Sequence, residues 1–239
     1  MGYPDQALAV AEKALREAHD VTRDSTFAAA LTFNARLRES RGELSAVADL
    51  ANSLAQFCAH RELPFWAAQA VLSRGWLLSV EGAHGEAILR LREAVESWRA
   101  LGSAIAIPVF LGRAAEAYLR AGQPERGIEP VNQAIDCANR NNERQFESEL
   151  MRLKGELLRV SGDETEAEMF LRKAIDVGQR QEARSWELRA TTSLARLLRD
   201  TNRHDEGRAT LAEIYKWFTE GLDTADLKDA KSLLDELSA

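Results

Sequence analysis

The side chains that most often carry catalysis or bind metals are few in this chain and are not grouped. There are four histidines, His19, His60, His84 and His204. Each falls at a predicted helix end or turn, where a solvated or capping role is favoured over metal ligation. The two cysteines, Cys58 and Cys137, lie far apart in the sequence without a partner at ligand spacing, so we interpret them as reduced, partly buried apolar side chains. The pattern predicts no metal site.

Nucleotide chemistry is not predicted either, because the sequence contains no GxxxxGK[ST] phosphate loop. We expect no catalytic residues and no cofactor. An enzyme stays an alternative that would need a strongly perturbed acid or base in a cleft. The polar residues left as candidates for recognition are arginines and glutamates three and four residues apart, as in Glu149, Arg152, Glu156 and Arg159. On a helix the same spacing allows these side chains to pair with one another along a solvated face.

Composition limits the partners and the location. The 239 residues are 45% apolar and 29% charged, with a net charge of -7. This balance argues against nucleic acid and anionic membranes, which require a clustered basic surface. The longest uncharged run, 100–112, contains Gly102 and Pro108 and is too short to span a bilayer. The start, MGYPDQALA, has no secretory signal. A cytoplasmic location is the default expectation.

The candidate residues lie on a sequence repeat with a period of about 40 residues. Gly155, Gly162, Ala167, Leu171 and Ala174 mark one copy, which predicts two amphipathic helices joined by a tight turn. Other copies are marked by Ala35, Gly42, Ala46, Leu50 and Ser53; by Gly75, Gly82, Ala87, Leu91 and Ala94; by Ala115, Gly122, Gly127, Val131 and Ala134; and by Ala195, Asn202, Gly207, Leu211 and Ile214. We predict hairpins at about 25–60, 64–100, 105–140, 144–180 and 184–219, within a single repeat domain over 1–239.

The two ends of the chain differ from the repeat. Residues 3–20 carry small residues at the positions of a second helix, Ala7, Ala11 and Ala14, without a first helix before them. We therefore expect an uncovered apolar face there, and a natural sequence that continues upstream of Tyr3, with Met1 an artificial start. At the other end, residues 225–237 carry one apolar stripe and one charged face, which is typical of a capping helix.

Turn residues support these boundaries. Glycines that suit a positive φ at a helix end recur as Gly42, Gly82, Gly122 and Gly162, and Asn202 takes their place in the last hairpin. Asp163 with Glu166 resembles a capping box. Pro108 falls in a first helical turn, where proline is tolerated. Pro130 falls about two turns into its helix, so we expect a kink or a late helix start.

Residues at the same place in successive copies form columns, and the columns predict the core. The smallest residues share one column, Ala35, Gly75, Ala115, Gly155 and Ala195. Large apolar residues fill two others, Leu37, Leu77, Leu157 and Leu197, and Leu50, Leu91, Val131, Leu171 and Leu211. Small residues allow two helix backbones to approach closely, and large ones fill the remaining space. Aromatic residues that share another column, Trp66, Phe146 and Trp186, are interpreted as packing between repeats.

The frame of small residue, glycine, alanine, leucine and alanine resembles the tetratricopeptide repeat, with the period lengthened from about 34 to about 40 residues. RSWELRATTSLARLLRD (184–200), WFTEGLDTADLKDAKSLLDEL (217–237) and YPDQAL (3–8) resemble the C-terminal repeats of large bacterial multidomain proteins. In these proteins a class III adenylate or guanylate cyclase domain, or another signalling module, precedes a switch ATPase. The resemblance implies an all-α solenoid of about twelve helices with a right-handed superhelical twist. The strand-rich pattern of a cyclase domain itself is absent.

In tetratricopeptide superhelices the first helix of each repeat lines the concave face. By that resemblance the candidate partner-binding residues are Leu72, Trp76, Val80, Glu116, Arg152, Glu156, Arg159, Arg196 and Arg199. Arg159, Arg196 and Arg199 suit a carboxylate or phosphate, with Trp76 as an aromatic anchor. The lysine and asparagine clamp of chaperone-tail binders is missing from these columns. The alternative is that the arginines only pair with neighbouring glutamates.

These observations predict a non-catalytic protein-interaction or regulatory module, acting on a protein or peptide partner or on upstream domains of its own chain. The parent is expected to be a bacterial cyclase-type signalling protein. One alternative is a small-ligand sensor, as in related transcription activators, which requires a closed apolar and polar pocket near Trp76 instead of an open groove. Another is self-association through the uncovered face of residues 3–20, giving a homodimer.

Overall fold

The computed structural model describes residues 2–19, 23–100, 102 and 105–238. Over this part of the chain it contains twelve α-helices and no strand. The helices are α1 (Pro4–His19), α2 (Asp24–Arg41), α3 (Leu44–Ala59), α4 (Pro64–Val80), α5 (His84–Ala100), α6 (Ile107–Arg120), α7 (Pro124–Asn141), α8 (Glu147–Val160), α9 (Glu164–Arg180), α10 (Arg184–Asp200), α11 (His204–Tyr215) and α12 (Ala225–Glu236). The all-α helical-hairpin architecture that the repeat predicts is confirmed.

The helices form an inner and an outer layer. Helices α2, α4, α6, α8, α10 and α12 contact one another in that order, and α12 also contacts α2. The inner layer is therefore a closed ring. Helices α1, α3, α5, α7, α9 and α11 lie outside it, and each contacts only the helices next to it in the chain. The segment predicted to be a cap does cover the last hairpin, but it is also the sixth member of the inner ring.

The predicted core columns are confirmed except in the first hairpin, where Leu37 and Leu50 are only half-buried. Ala115 and Ala195 are fully buried in the small column, as are Leu171 and Leu211 in one of the large columns. Gly155 shows why the first column must stay small, because a Cβ atom added there would lie 2.7 Å from Leu171 Cγ. The backbones of α8 and α9 approach one another at this point.

The turn predictions hold with one exception. Gly42, Gly82, Gly122 and Gly162 all have positive φ, and Asn202 has φ 61°. The Glu166 N–H donates to the Asp163 carboxylate at 3.1 Å, as a helix cap does. Pro108 lies in the first turn of α6. A late helix start at Pro130 is wrong, because α7 begins at Pro124 and continues through Pro130.

Contacts between the two ends of the chain reinforce the ring. The Tyr3 and Trp217 rings lie 5.2 Å apart. The Glu220 carboxylate accepts hydrogen bonds from the backbone N–H groups of Asp5 and Gln6, at 3.0 and 3.1 Å. Asp5 in turn accepts from the Gly221 N–H at 2.9 Å. Glu220 thus supplies the N-terminal cap of α1 from the far end of the sequence.

Helix α1 leaves part of its surface uncovered, as expected for a repeat that lacks its first helix. Val10 is 68% exposed, and Ala7 and Ala14 are also exposed. These are the positions that contact the preceding first helix in the complete hairpins. Whether a second copy of the chain covers this face stays a prediction.

We predict that Gly155→Ala lowers the free energy of unfolding by about 1–3 kcal/mol, because the added methyl group collides with Leu171 and with the Ala167 carbonyl oxygen 3.2 Å away. Gly85→Ala in α5 is the matched control, since nothing lies within 4 Å of a Cβ atom at that position. Chemical denaturation of both variants measures the difference. Equal unfolding midpoints for the two would contradict close approach of α8 and α9.

A second prediction concerns closure of the ends. Glu220→Ala should speed hydrogen exchange at the Asp5 and Gln6 amides by roughly fivefold or more, because both lose the acceptor that caps α1. Glu213→Ala, an exposed position on α11, should leave these amides unchanged. The hydrogen bond from the Gln6 side chain, which burial opposes, holds the pKa of Glu220 below its ordinary value. In the wild type, the protection of the Asp5 and Gln6 amides against hydrogen exchange should therefore be lost only as pH falls through that lowered pKa.

Candidate functional site

The closed inner ring surrounds a cavity of about 810 Å³. Side chains or backbone from α2, α4, α6, α10 and α12, and from the residues just before α8, line it. Every repeat therefore contributes to one shared space. The residues that give the cavity its chemical character are Leu72, Trp76, Val80, Phe146 and Trp186, which are apolar, and Arg36, Glu39, Arg113, Glu116, Arg120, Arg189 and Asp226, which are charged.

The apolar wall contains the predicted aromatic anchor. Trp76 lies in α4 with Leu72 one turn before it and Val80 one turn after it, and all three line the cavity. Trp76 is only 6% exposed, because it packs against Val47 and lies beneath the Arg113 guanidinium. Phe146 and Trp186, whose rings are 6.2 Å apart, continue this wall from neighbouring repeats.

One half of the charged lining is a chain of ion pairs centred on α6. Arg113 donates to Glu39 at 2.7 Å and to Glu116 at 2.9 Å. Glu116 also accepts from Arg120 at 2.9 Å. The second Glu39 oxygen accepts from the Ser73 hydroxyl at 2.7 Å. The pairs join α2, α4 and α6, so they fix three inner helices relative to one another.

The other half is centred on Arg189 of α10. Its guanidinium lies 3.1 Å from Glu149, 3.7 Å from Asp226 and 4.0 Å from Glu116. Glu149 also receives a bidentate pair from Arg152, with both distances 2.9 Å. Arg189 therefore bridges α6, α8, α10 and α12 and connects the two halves of the ring.

The network shifts the pKa values of its carboxyl groups in opposite directions. Burial by itself raises the pKa of Glu116, but Arg113, Arg120 and Arg189 outweigh it and bring the pKa to about 2. For Asp226 burial wins and raises the pKa, with Arg189 opposing the effect. Glu116 is thus ionised at neutral pH, whereas burial favours the protonated form of Asp226.

The remaining predicted site residues lie outside the cavity lining and are occupied. Arg152 pairs with Glu149, and Arg159 pairs with Glu156 at 2.9 Å and with Asp200 at 3.0 Å. The alternative that these arginines pair with neighbouring glutamates is confirmed, but the face is not solvated, because Arg152 and Glu156 are buried.

The last two predicted arginines also have partners on α12. Arg196 pairs with Asp229, and Arg199 pairs with Glu236 at 2.7 Å. Both pairs attach α10 to the final helix. Of the nine predicted residues the structure brings together four in the cavity, Leu72, Trp76, Val80 and Glu116.

Sequence reasoning missed most of the charged lining. Arg36 and Glu39 occupy concave columns, so the repeat frame could have identified them. Arg189 shares a column with Gln69 and Glu149, six residues before the small position, which is a weaker signal. Asp226 lies on a helix outside the repeat, so no column points to it.

Other site types find no support in the described part of the chain. No three histidine, cysteine, aspartate or glutamate side chains are grouped there as ligands for a metal ion. Cys58 and Cys137 are buried and free, and burial raises the pKa of both thiols. None of the described helices is long and apolar enough to cross a bilayer.

No protein-family model matches the sequence, and no curated protein matches it significantly. Solved structures do share the fold. A Rap protein complexed with competence and sporulation factor superposes with a TM-score of 0.71 at 13% identity, over 93% of this chain and 60% of that one. Bacillus thuringiensis PlcR, in complex with the peptide PapR7 and DNA, superposes with a TM-score of 0.66 at 12% identity, over 88% of this chain and 70% of that one.

A third structure is a signal transduction ATPase with numerous domains from Pyrococcus horikoshii, which carries a tetratricopeptide repeat sensor. It gives a TM-score of 0.56 at 14% identity, over 96% of this chain and 41% of that one. This chain thus spans well under two thirds of both the Rap protein and the ATPase. At these identities the likeness shows the fold, which is a tetratricopeptide-like solenoid of helical hairpins.

Replacing the central carboxylate tests the ion-pair network. Glu116→Gln should lower the free energy of unfolding by about 3 kcal/mol at neutral pH, because it removes the buried anion that Arg113 and Arg120 share. Glu213→Gln on the outer surface is the control and should change little.

The same pair of proteins gives a pH test. Because the pKa of Glu116 is lowered to about 2, its stabilisation is complete above the unfolded pKa near 4.5 and is lost as pH falls toward 2. Denaturation across this range should show the difference between wild type and Glu116→Gln shrinking with acidity. A difference independent of pH would show that Glu116 is not ionised in the folded protein.

Proposed function

We propose that this chain is a non-catalytic sensor module that binds a compact ligand, a small molecule or a short peptide, inside its closed inner ring. The observation that carries the proposal is the cavity of about 810 Å³, which is lined both by apolar side chains such as Trp76 and by ion-paired arginines and carboxylates. Small-molecule sites in proteins have volumes of roughly 300–1,000 Å³ and combine apolar walls with a few oriented polar groups.

Closure of the ring favours a compact ligand over a folded partner. An open superhelix presents its concave face as a groove, whereas here α12 contacts α2 and covers it. The alternative of a small-ligand sensor requires a closed pocket near Trp76, and Trp76 lines this cavity. A short peptide fits the same reasoning, and a peptide is a ligand named for the PlcR structure.

The proposed setting is the C-terminal sensor or scaffold region of a bacterial cyclase and switch ATPase protein in the cytoplasm. The resemblance of segments 3–8, 184–200 and 217–237 supports it, as does the shared fold with the repeat sensor of the Pyrococcus horikoshii ATPase. In this setting the upstream domains of the same chain are the partners that respond to the ligand.

A non-catalytic role agrees with the lining of the cavity. Among the described residues no histidine, cysteine or lysine lines it. Asp226 is the perturbed acid that an enzyme would need, but its charged neighbour is Arg189, 3.7 Å away on α10, which links it to the ion pairs of the ring. Asp226 is therefore assigned to closing the ring.

Two further partner predictions stay open to test. The net charge of -7 argues against a nucleic-acid partner. The PlcR structure, which shares the fold, contains DNA and is partly at odds with this prediction. A homodimer would use the exposed face of α1 around Val10.

Filling the cavity tests the proposed function. Native mass spectrometry of the protein with a pool of random tripeptides, and separately with a library of metabolites, should detect complexes of one ligand per chain. Ser40→Trp, at an exposed position that lines the cavity, should weaken this binding at least about tenfold by occupying the space.

Ser45→Trp is the matched control, since Ser45 is exposed on the outer helix α3 and does not line the cavity. It should bind as the wild type does. Unchanged binding in Ser40→Trp, or no binder in either pool, would overturn the proposal.

A further inference from the structure

One positive charge in the cavity has no ion pair with any residue that the structure describes. Four arginines line it, and Arg113, Arg120 and Arg189 each have a carboxylate oxygen within 4.0 Å. Arg36 forms no ion pair of this kind with any described residue. A guanidinium that is half-buried and unpaired is costly, so its retention needs a reason beyond packing.

The nearest candidate partner within the protein is already used. Glu39 lies three residues after Arg36 on α2, a spacing that often gives an ion pair. Its two oxygens accept instead from Ser73 and Arg113, both at 2.7 Å. Burial lowers the pKa of Arg36, with Glu39 opposing the effect and Arg113 adding to it. Arginine nevertheless stays charged at neutral pH.

The Arg36 guanidinium is held in place without an anion. One of its nitrogens donates to the Gln69 side-chain oxygen at 2.6 Å, and Gln69 is itself only 2% exposed. The guanidinium carbon also lies 5.7 Å from the centre of the Phe146 ring and 5.9 Å from that of Phe33. The hydrogen bond to Gln69 uses one of five N–H groups, so donors remain for a ligand in a fixed orientation.

We propose that Arg36 is the anion subsite of the cavity and that the ligand is an amphipathic monocarboxylic acid, whose apolar body lies against Leu72, Trp76 and Phe146. This inference rests on the proposed function. A carboxylate matches two N–H groups of a guanidinium, and one unpaired positive charge balances one negative charge. The carboxylate comes from a peptide C-terminus or from a free organic acid.

Two matched pairs of probes test the proposal. The free acids are phenylbutyrate and acetyl-leucyl-leucine, and their neutral partners are phenylbutyramide and acetyl-leucyl-leucine amide. Binding is measured by tryptophan fluorescence, because Trp76 and Trp186 line the cavity. Wild type should bind at least one acid about tenfold more tightly than its amide, since hydrogen bonds to a charged group are stronger. The pair that shows the preference identifies the source of the carboxylate.

Arg36→Gln should reduce the preference for the acid to within about twofold while binding of the amide stays unchanged. Arg36→Lys should keep part of the preference, because the charge remains but the planar donor pair is lost. Arg16→Gln, an exposed arginine on α1, should keep all of it. Circular dichroism melting shows that each variant is folded.

The outcomes separate the inference from the proposed function. Equal binding of acid and amide to wild type, or a preference that survives Arg36→Gln, overturns the anion subsite and leaves the cavity as a binding site. If none of the four probes shows binding that Ser40→Trp abolishes, both the anion subsite and the proposed function are overturned.

Discussion

The structure depends on closure of the inner helices into a ring, because closure buries a face that would otherwise be solvated. Once α12 contacts α2, the charged residues of the concave columns lose water and need partners. Arg113 meets this need by pairing with Glu39, and Arg189 by pairing with Glu149 and Glu116, across helices of different repeats. The same ion pairs that make burial tolerable also set the relative positions of the inner helices.

Burial of the concave face separates two roles that are usually combined in repeat proteins. The paired arginines, such as Arg152 and Arg159, hold neighbouring helices together and have little capacity left for a ligand. The cavity keeps an apolar wall and a single unpaired guanidinium at Arg36, which together define the chemistry of the proposed ligand.

Contacts between the two ends of the chain reinforce this closure. The two hydrogen bonds that Glu220 accepts from Asp5 and Gln6 are exposed, whereas the one that the Gly221 N–H donates to Asp5 is partly buried. Exposed hydrogen bonds of this kind belong to the part of a structure that opens most easily.

The sequence by itself determined the helices, their turns and most of the core, since these follow from local periodicity. The repeat period predicted that Gly155 lies at a close approach of two helices, where it faces Leu171. It also predicted that Asn202 takes a left-handed conformation in its turn. It also identified Trp76 on the concave face. The tertiary structure alone decided that the last helix completes a ring, that Arg159 and Arg199 are ion-paired, and that Arg36 has no ion pair with a described residue. These outcomes depend on contacts between side chains of different repeats and of the two chain ends, which periodicity does not encode.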